Sequence, residues 1–517
     1  MASNKKTVIK RLGELLPDNV LTEAFANIVV SGLTIDSRSV KDGYVFVAMQ
    51  GVQVHGRQFV EQAINNGAVA ILIDASDEPV EASIPVITVA NLEMYLSQMA
   101  SYFYGNPSTK IPVVGITGTN GKTTCSQLLA QCLAHLKVPC GVMGTLGYGL
   151  FKSSVDNIAE NLQSTGMTTA DAIRTQSICA ELVDSGAQYM VMEVSSHGLC
   201  QHRVAAIDID TAVFTNLSHD HLDYHGNMLE YGQAKSRLFS MASVSNAIIN
   251  QDDDYAEILI ETIPDNVKVI TYSLSDAESN VERSENHFSL SSITMGEQGM
   301  EATLVVDQHS FPIKTPLIGQ FNLSNLLAVV STLTVYDIAI NDIVSAIATL
   351  KSVPGRMELI PNQLGLRVVV DFAHTPDALK SALLALSPHK KGKVWCVFGC
   401  GGDRDREKRP QMAAIAQQFS DKVIVTSDNP RNESPVTIFS DIEKGFGGSV
   451  DHHEIIADRA NAIESAIEQA QSGDIVLIAG KGHEDYQLIG SQRFPFSDQQ
   501  QARFSLRCRE SREAQYD

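Results

Sequence analysis

Residues 113–124 read Val-Val-Gly-Ile-Thr-Gly-Thr-Asn-Gly-Lys-Thr-Thr. The apolar run Ile111 to Ile116 that leads into them is short, as a buried strand requires. Beyond Lys122, the residues Cys125, Leu128, Leu129, Cys132, Leu133 and Leu136 recur at helical spacing and form one apolar face. Strand, glycine loop and helix therefore follow in order, and the N–H groups of such a loop and helix N-terminus face an anion. Gly118, Thr119, Asn120, Gly121, Lys122, Thr123 and Thr124 form the expected phosphate loop, with Lys122 reaching the β- and γ-phosphates of a nucleotide and the Thr123 hydroxyl binding Mg²⁺. The loop is a variant of G-x-x-x-x-G-K-[ST], because Ile116 stands where the first glycine belongs and Gly115 comes one residue early. A glycine turn that binds nothing is the plainer alternative, and the order of strand, loop and helix weighs against it.

Two further strand ends carry polar chemistry. Glu193 follows the apolar run Tyr189 to Met192, at the position where open α/β sheets place ligands, and a carboxylate there can hold Mg²⁺. After Thr211 to Phe214 come His219, Asp220, His221, Asp223 and His225, three histidines in seven residues, which look like a metal site. Any one of these histidines alone is better explained by a hydrated loop. Taken with Glu193 and the phosphate loop, the cluster favours metal-nucleotide chemistry. Lys235, on a helix expected after Tyr231-Gly232, would on its own be a solvated surface lysine.

The remainder of the chain reads as α/β. From about 25 to 103, the strand-like runs Val45 to Ala48, Val69 to Ile73 and Val86 to Val89 alternate with helical patterns such as Gln58 to Asn66. Gly105-Asn106-Pro107 marks one boundary near 106, and Ser352-Val353-Pro354-Gly355 a second. Beyond it, Arg367 to Phe372, Val394 to Phe398, Lys422 to Thr426 and Asp474 to Ala479 alternate with helical stretches, the pattern of a parallel, Rossmann-like sheet. Three domains are thus expected at 1–106, 107–352 and 353–517: a small N-terminal α/β domain, a central P-loop ATPase-like domain with a mainly parallel sheet, and a C-terminal Rossmann-like domain. For 517 residues this agrees with about 100–200 per domain.

Composition narrows the class. With 44% apolar and 19% charged residues the chain is of globular type, and a net charge of −21 disfavours nucleic acid or an anionic membrane as partner. The eight cysteines are scattered and several lie in apolar runs, as reduced core residues of a cytoplasmic protein would; Cys396 and Cys400 lack the second ligand pair zinc needs. Met1 to Pro17 has no long apolar segment and no run of about 18 apolar residues occurs, so neither export nor membrane insertion is expected.

Together, residues 118–124, Glu193-Val-Ser-Ser-His197, Asp220-His-Leu-Asp223, Lys235, Gly319-Gln-Phe-Asn-Leu-Ser-Asn325, Gly355-Arg356 and Asp371-Phe-Ala-His374 resemble the Mur ligase family over nearly the whole chain. Within it, Val353-Pro-Gly-Arg-Met-Glu358, Phe398-Gly-Cys-Gly-Gly-Asp-Arg404 and Gly480-Lys-Gly-His-Glu484 look like the MurE type. The resemblance implies an ATP-dependent ligase that joins meso-diaminopimelate to UDP-N-acetylmuramoyl-L-alanyl-D-glutamate through an acyl phosphate, with Mg²⁺ as cofactor. It implies that the first domain binds UDP, the second ATP and the third the amino acid. It further implies that Asn325, Arg356 and Asp371 hold ATP; that Ser37 contacts the uridine diphosphate; and that Thr168, Thr169, Ser195, Gln201 and Arg203 bind the muramoyl dipeptide. One magnesium would sit on Thr123 and Glu193, another on His221 and on Lys235 as its carbamate. Asp428-Asn429-Pro430-Arg431 matches the diaminopimelate type, where Arg431 with Arg404 can fork the distal carboxylate that lysine lacks. Gly480 and Glu484 would hold the distal ammonium and its neighbours. A monomer acting on small molecules is expected. Ala170, Glu407 and Phe372 depart from the usual pattern, and Phe151 to Gly166 matches it poorly. The rival readings are a lysine-adding MurE, a folylpolyglutamate-synthetase-like ligase, and a nucleotide switch that consumes ATP without an amino acid.

Overall fold

A computed structural model gives the structure and describes residues 8–16, 23–51, 54–153, 162–274, 286–296, 299–307, 309–447 and 453–515. Part of the poorly matching stretch, residues 154–161, and the first seven residues lie outside the described residues. The chain divides into two compact units, one running to Ser273 and taking in Ala328–Ile338, the other built chiefly from Phe288–Leu327 and Ala339–Asp517.

The first unit holds two sheets. Gly32–Thr34, Tyr44–Val47, Ala68–Asp74 and Val86–Val89 form a small parallel sheet in chain order. Alternate side chains along these strands feed two cores, Val45, Val47, Ala70 and Leu72 on one face and Phe46, Ile71 and Ile73 on the other. The first of these cores also includes Leu96 and Met99 of helix Leu92–Phe103 and Ala172 and Ile173 of helix Ala172–Asp184.

The larger sheet of this unit runs in the order Lys268–Ser273, Asn246–Asn250, Thr211–Phe214, Val113–Thr117, Tyr189–Glu193, Cys140–Gly144 and Gly147–Phe151. All pairings are parallel except the last. Val113–Thr117 is buried along its whole length, as a central parallel strand covered on both faces must be. The parallel register brings Thr117, Glu193, Phe214 and Gly144 to one edge of the sheet, so every loop that follows them opens at that edge.

The second unit carries three antiparallel strands, His287–Gly296, Gly299–Val306 and His309–Thr315. It also holds a six-stranded sheet in the order Glu358–Ile360, Arg367–Asp371, Ile475–Ala479, Val394–Phe398, Lys422–Val425 and His453–Ile455, parallel apart from its first strand. Helices cover both faces: Pro376–Leu386 and Lys408–Phe419 lie over one core, Arg459–Gln469 and Asp498–Glu513 over the other. A hairpin, Tyr486–Ile489 with Gln492–Pro495, follows the strand Ile475–Ala479. The fold is therefore α/β with mainly parallel sheets. All eight cysteines are free, six of them buried. No described helix is long and apolar enough to cross a membrane.

Candidate active site

Gly118 is the residue at which the phosphate-loop strand becomes a loop. Its φ is 149°, and a Cβ there would lie 1.9 Å from Thr215 Oγ1, so only glycine lets the two loops meet. The neighbouring loop then braces the first. Asn216 accepts from the Asn120 N–H through its side chain (2.8 Å) and from the Thr119 N–H through its carbonyl (2.8 Å), while Thr215 Oγ1 donates to the Asn120 carbonyl (2.6 Å). Lys122, first residue of helix Lys122–His135, donates back to the carbonyls of Gly118 (2.7 Å) and Thr119 (3.0 Å). Thr124, in the first turn of the same helix, is buried.

Glu193 is 1% exposed and its carboxylate is fully engaged. Oε2 accepts from Thr123 Oγ1 (2.9 Å) and Thr145 Oγ1 (2.9 Å), and Oε1 accepts from the Thr145 N–H (2.9 Å). A Cβ on Gly144 would come within 2.1 Å of Oε1, so glycine at 144 is required for the acid to lie there. Thr123 and Glu193 are hard oxygen donors side by side, which suits Mg²⁺, an ion that takes one or two protein oxygens beside phosphate and water. Among the described residues, no group of three His, Cys, Asp or Glu side chains is placed to hold a metal. The three histidines of 219–225 accordingly do not converge as one ligand set: His219 is exposed, and His225 Nε2 lies 2.9 Å from Ser196 Oγ. The ring that meets two of them is one the sequence reading left without a role, His197, 4.9 Å from His221 and 5.5 Å from His225 between centroids. Burial, then the neighbouring His221 and His225, pull His197 down to about 4.

Lys235 is not the solvated lysine its local sequence suggests. It is 1% exposed, with its ammonium 4.3 Å from the centre of the Tyr231 ring, whose hydroxyl lies 3.2 Å from Thr119 Oγ1. Burial, reinforced by Lys122, holds its pKa well below the ordinary lysine range. His221, with a left-handed φ of 54°, opens the short helix Leu222–His225 and sits 3.4 Å from Asp220.

The residues expected to bind the dipeptide cluster beside Glu193. Thr168 Oγ1 is 3.0 Å from Thr145 Oγ1; Thr169 Oγ1 donates to the Glu193 carbonyl and accepts from the Ser195 N–H, both at 2.9 Å. Ser195 caps helix Ser196–Cys200, and Arg203 donates to the Thr169 carbonyl (2.7 Å) and to Gln201. Ser37 stands apart on the small sheet, in the turn Ser37–Ser39 capped by Asp36, its hydroxyl donating to Gln62 (2.7 Å).

In the second unit, Asp371 ends a parallel strand, and Arg404, Asp428–Arg431, Gly480 and Glu484 follow the carboxyl ends of others. Asp371 accepts from the Met357 N–H (2.7 Å), and burial raises its pKa against the pull of Arg356, whose guanidinium lies over Phe372 at 4.6 Å. Asn325 is buried in helix Gln320–Val335 and donates to Asn322 (3.1 Å). Arg431 adopts φ 52°, pairs with the hairpin strand through Leu488 (2.9 Å) and donates to the Gly402 carbonyl (2.8 Å), which places it against the loop that carries exposed Arg404. Behind these loops, wholly buried Arg409 binds Glu433 through two hydrogen bonds (2.7 and 2.6 Å) and the Gly401 carbonyl (3.1 Å). Glu433 in turn accepts from the Asp403 N–H (3.2 Å), so one guanidinium ties the Arg404 loop to the Arg431 loop.

The chain matches the Mur ligase family, catalytic domain model over residues 29–104, the Mur ligase middle domain over 116–333 and the Mur ligase, glutamate ligase domain over 355–482. It is 41% identical over 483 residues to the UDP-N-acetylmuramoyl-L-alanyl-D-glutamate–2,6-diaminopimelate ligase of Coxiella burnetii, covering 93% of this chain and 96% of the relative. The enzyme of the same name from Pseudomonas aeruginosa is 43% identical over 497 residues, covering 96% and 98%. A solved structure of a ligase of that name superposes with a TM-score of 0.67 at 35% identity, covering 97% and 99%. Three family models met in chain order, and relatives matched along nearly their full length, make the chain a member of the Mur ligase family.

Proposed function

We propose that the protein is an ATP-dependent ligase that joins meso-diaminopimelate to UDP-N-acetylmuramoyl-L-alanyl-D-glutamate in the synthesis of peptidoglycan precursors. The observation that carries the reading is Glu193 held between Thr123 and Thr145 at the mouth of the phosphate loop, in a chain whose near-full-length relatives bear that ligase's name. A carboxylate is a poor electrophile, so its oxygen first attacks the γ-phosphorus of ATP, releasing ADP and leaving an acyl phosphate. The amine of the amino acid then attacks the acyl carbon, phosphate departs with the bonding pair, and the nitrogen loses a proton to leave an amide.

Gly118–Thr124 cradle the triphosphate, with Lys122 offering its charge to the phosphoryl oxygens. Magnesium, when bound, neutralises charge on those oxygens, and Thr123, Glu193, His221 and carbamylated Lys235 are the residues that would hold it. The lowered pKa of Lys235 supports the carbamate, because the neutral amine is the form that adds CO₂, losing a proton as the C–N bond forms. Asn325, Arg356 and Asp371 bind ATP in this reading. Ser37, Thr168, Thr169, Ser195, Gln201 and Arg203 take the UDP-muramoyl dipeptide, and Arg404, Asp428, Asn429, Pro430, Arg431, Gly480 and Glu484 take diaminopimelate. The segments 1–106, 107–352 and 353–517 serve UDP, ATP and the amino acid. We take the enzyme to be monomeric and cytoplasmic, where ATP and UDP-linked precursors are found.

The test is a product assay by mass with purified protein, ATP, the UDP-muramoyl dipeptide, and diaminopimelate or lysine in parallel. A diaminopimelate adduct formed with one ADP per bond is expected. ATP consumption that needs no amino acid, or an adduct with lysine alone, would overturn the reading.

A further inference from the structure

Lys481 has no exposed side-chain surface, yet it sits among residues that the proposed function assigns to the amino acid. Its ammonium donates to Asn429 Oδ1 at 3.1 Å and to Glu484 Oε2 at 2.9 Å, and lies 3.6 Å from Asp428 Oδ1. Asn429 is thereby oriented. Its oxygen also accepts from the Leu488 N–H (2.9 Å), and its Nδ2 donates to Glu484 Oε2 (2.8 Å), so a flipped amide would set N–H groups against the ammonium and the Leu488 N–H.

Charge is set by the same residue. Asp428 and Glu484 bring two negative charges and Lys481 one positive; behind them Arg459 is neutralised by Asp498 at 2.7 Å. Among these five side chains one net negative charge remains. Lys481 offers no surface to a ligand, whereas the Glu484 side chain is 21% exposed and, among the described residues, no hydrogen bond reaches its Oε1. The surface presented is thus carboxylate, shaped by a cation that cannot itself be touched.

We propose that Lys481 is a positioning residue for the amino-acid substrate: through Asn429 and Glu484 it fixes the carboxylate surface that receives the ammonium at the amino acid's distal end. The inference rests on the amino-acid site proposed above. Lys481→Met keeps the length of the stem and removes the charge and its donors; Lys481→Gln keeps a donor without the charge. In the full-length enzyme, loss of these charge-assisted bonds raises KM for diaminopimelate about 30-fold in Lys481→Met and by a smaller factor in Lys481→Gln, with KM for ATP and for the UDP-muramoyl dipeptide within about twofold of the parent. An amino-acid KM within about twofold of the parent, or a joint rise of all three KM values, overturns the role. Should Lys481→Met fail to fold, Lys481→Gln decides by the same two criteria. The parent enzyme separates the two readings: no diaminopimelate adduct from it would sink the proposed function, whereas an active parent with an unaffected variant sinks only the role of Lys481.

Discussion

Arg459 and Asp498 form an ion pair in which neither side chain has exposed surface. Each opens a helix, Arg459–Gln469 and Asp498–Glu513, and a cation at a helix N-terminus is disfavoured unless it is paired. Two hydrogen bonds of 2.7 Å join guanidinium and carboxylate, and Nη2 also donates to the Ala479 carbonyl at 2.9 Å. Arg459→Met would leave a carboxylate and a carbonyl buried without these donors, a loss of about 3–5 kcal/mol for breaking one side of a buried pair. At about 2–4 °C per kcal/mol for a domain of this size, the melting temperature should drop by roughly 6–20 °C. Arg459→Met/Asp498→Leu should recover most of that, because two apolar side chains leave no buried charge behind; Ser497, the helix cap, is untouched. The chain has a single tryptophan, Trp395, which shares a core with Ala462, Ile463 and Ala502 of these helices, so urea unfolding followed by its fluorescence reports on this region. A loss below about 1 kcal/mol in the single variant, or a double variant no better than the single, would refute the reasoning.

Three further outcomes are expected. Lys235→Ala should lower kcat at least about 100-fold, with partial recovery on adding short carboxylic acids; unchanged turnover in the ADP-release assay would remove Lys235 from the chemistry. Arg431→Ala should raise KM for diaminopimelate by about 10–100-fold and narrow its advantage over lysine, since the donor for a distal carboxylate is gone; parallel kinetics with both amino acids measure this. His483 is pulled down to about 4 by burial, and its Nδ1 is buried without a hydrogen-bond partner among the described residues. Because the unfolded chain takes up this proton near pH 6.5 and the folded one only near 4, stability is present above pH 6.5 and declines as pH falls through that window. His483→Gln should flatten the fall in urea midpoint between pH 7.5 and pH 5, and an equal fall in both proteins would count against it.

Short runs buried on both faces, such as Thr211–Phe214 and Val394–Phe398, are legible to the residue because that burial demands side chains that need no water. The expected helix Gln58 to Asn66 resolves instead into a tight turn, Gly56–Phe59, and a short helix, Val60–Asn65, since His55 caps the turn by accepting from the Arg57 N–H. The antiparallel strands of 287–315 have half-exposed faces, a weaker signal than an apolar run, and formed no part of the sequence expectation. At the site, the phosphate loop and Glu193 are readable because strand ends mark them. Thr145 is not, since its contact with Glu193 spans 48 residues and follows no motif. Lys235 is misread in isolation for the same reason: its burial beneath Tyr231 comes from packing that no local pattern encodes. Lys481 lies inside a recognisable motif, but its partners Asn429 and Asp428 stand on another strand end.

The two carbonyls that hold Lys122 bear on ligand choice. Any anion that recruits this ammonium competes with these two hydrogen bonds, and the competition is the same for a lone phosphate as for a chain of three. Only the longer ligand has enough oxygens to repeat the contact along the loop's N–H groups as well. Inorganic phosphate and nucleoside monophosphates should therefore compete feebly with ATP, so that the self-bonded lysine acts as a filter on the length of the polyanion.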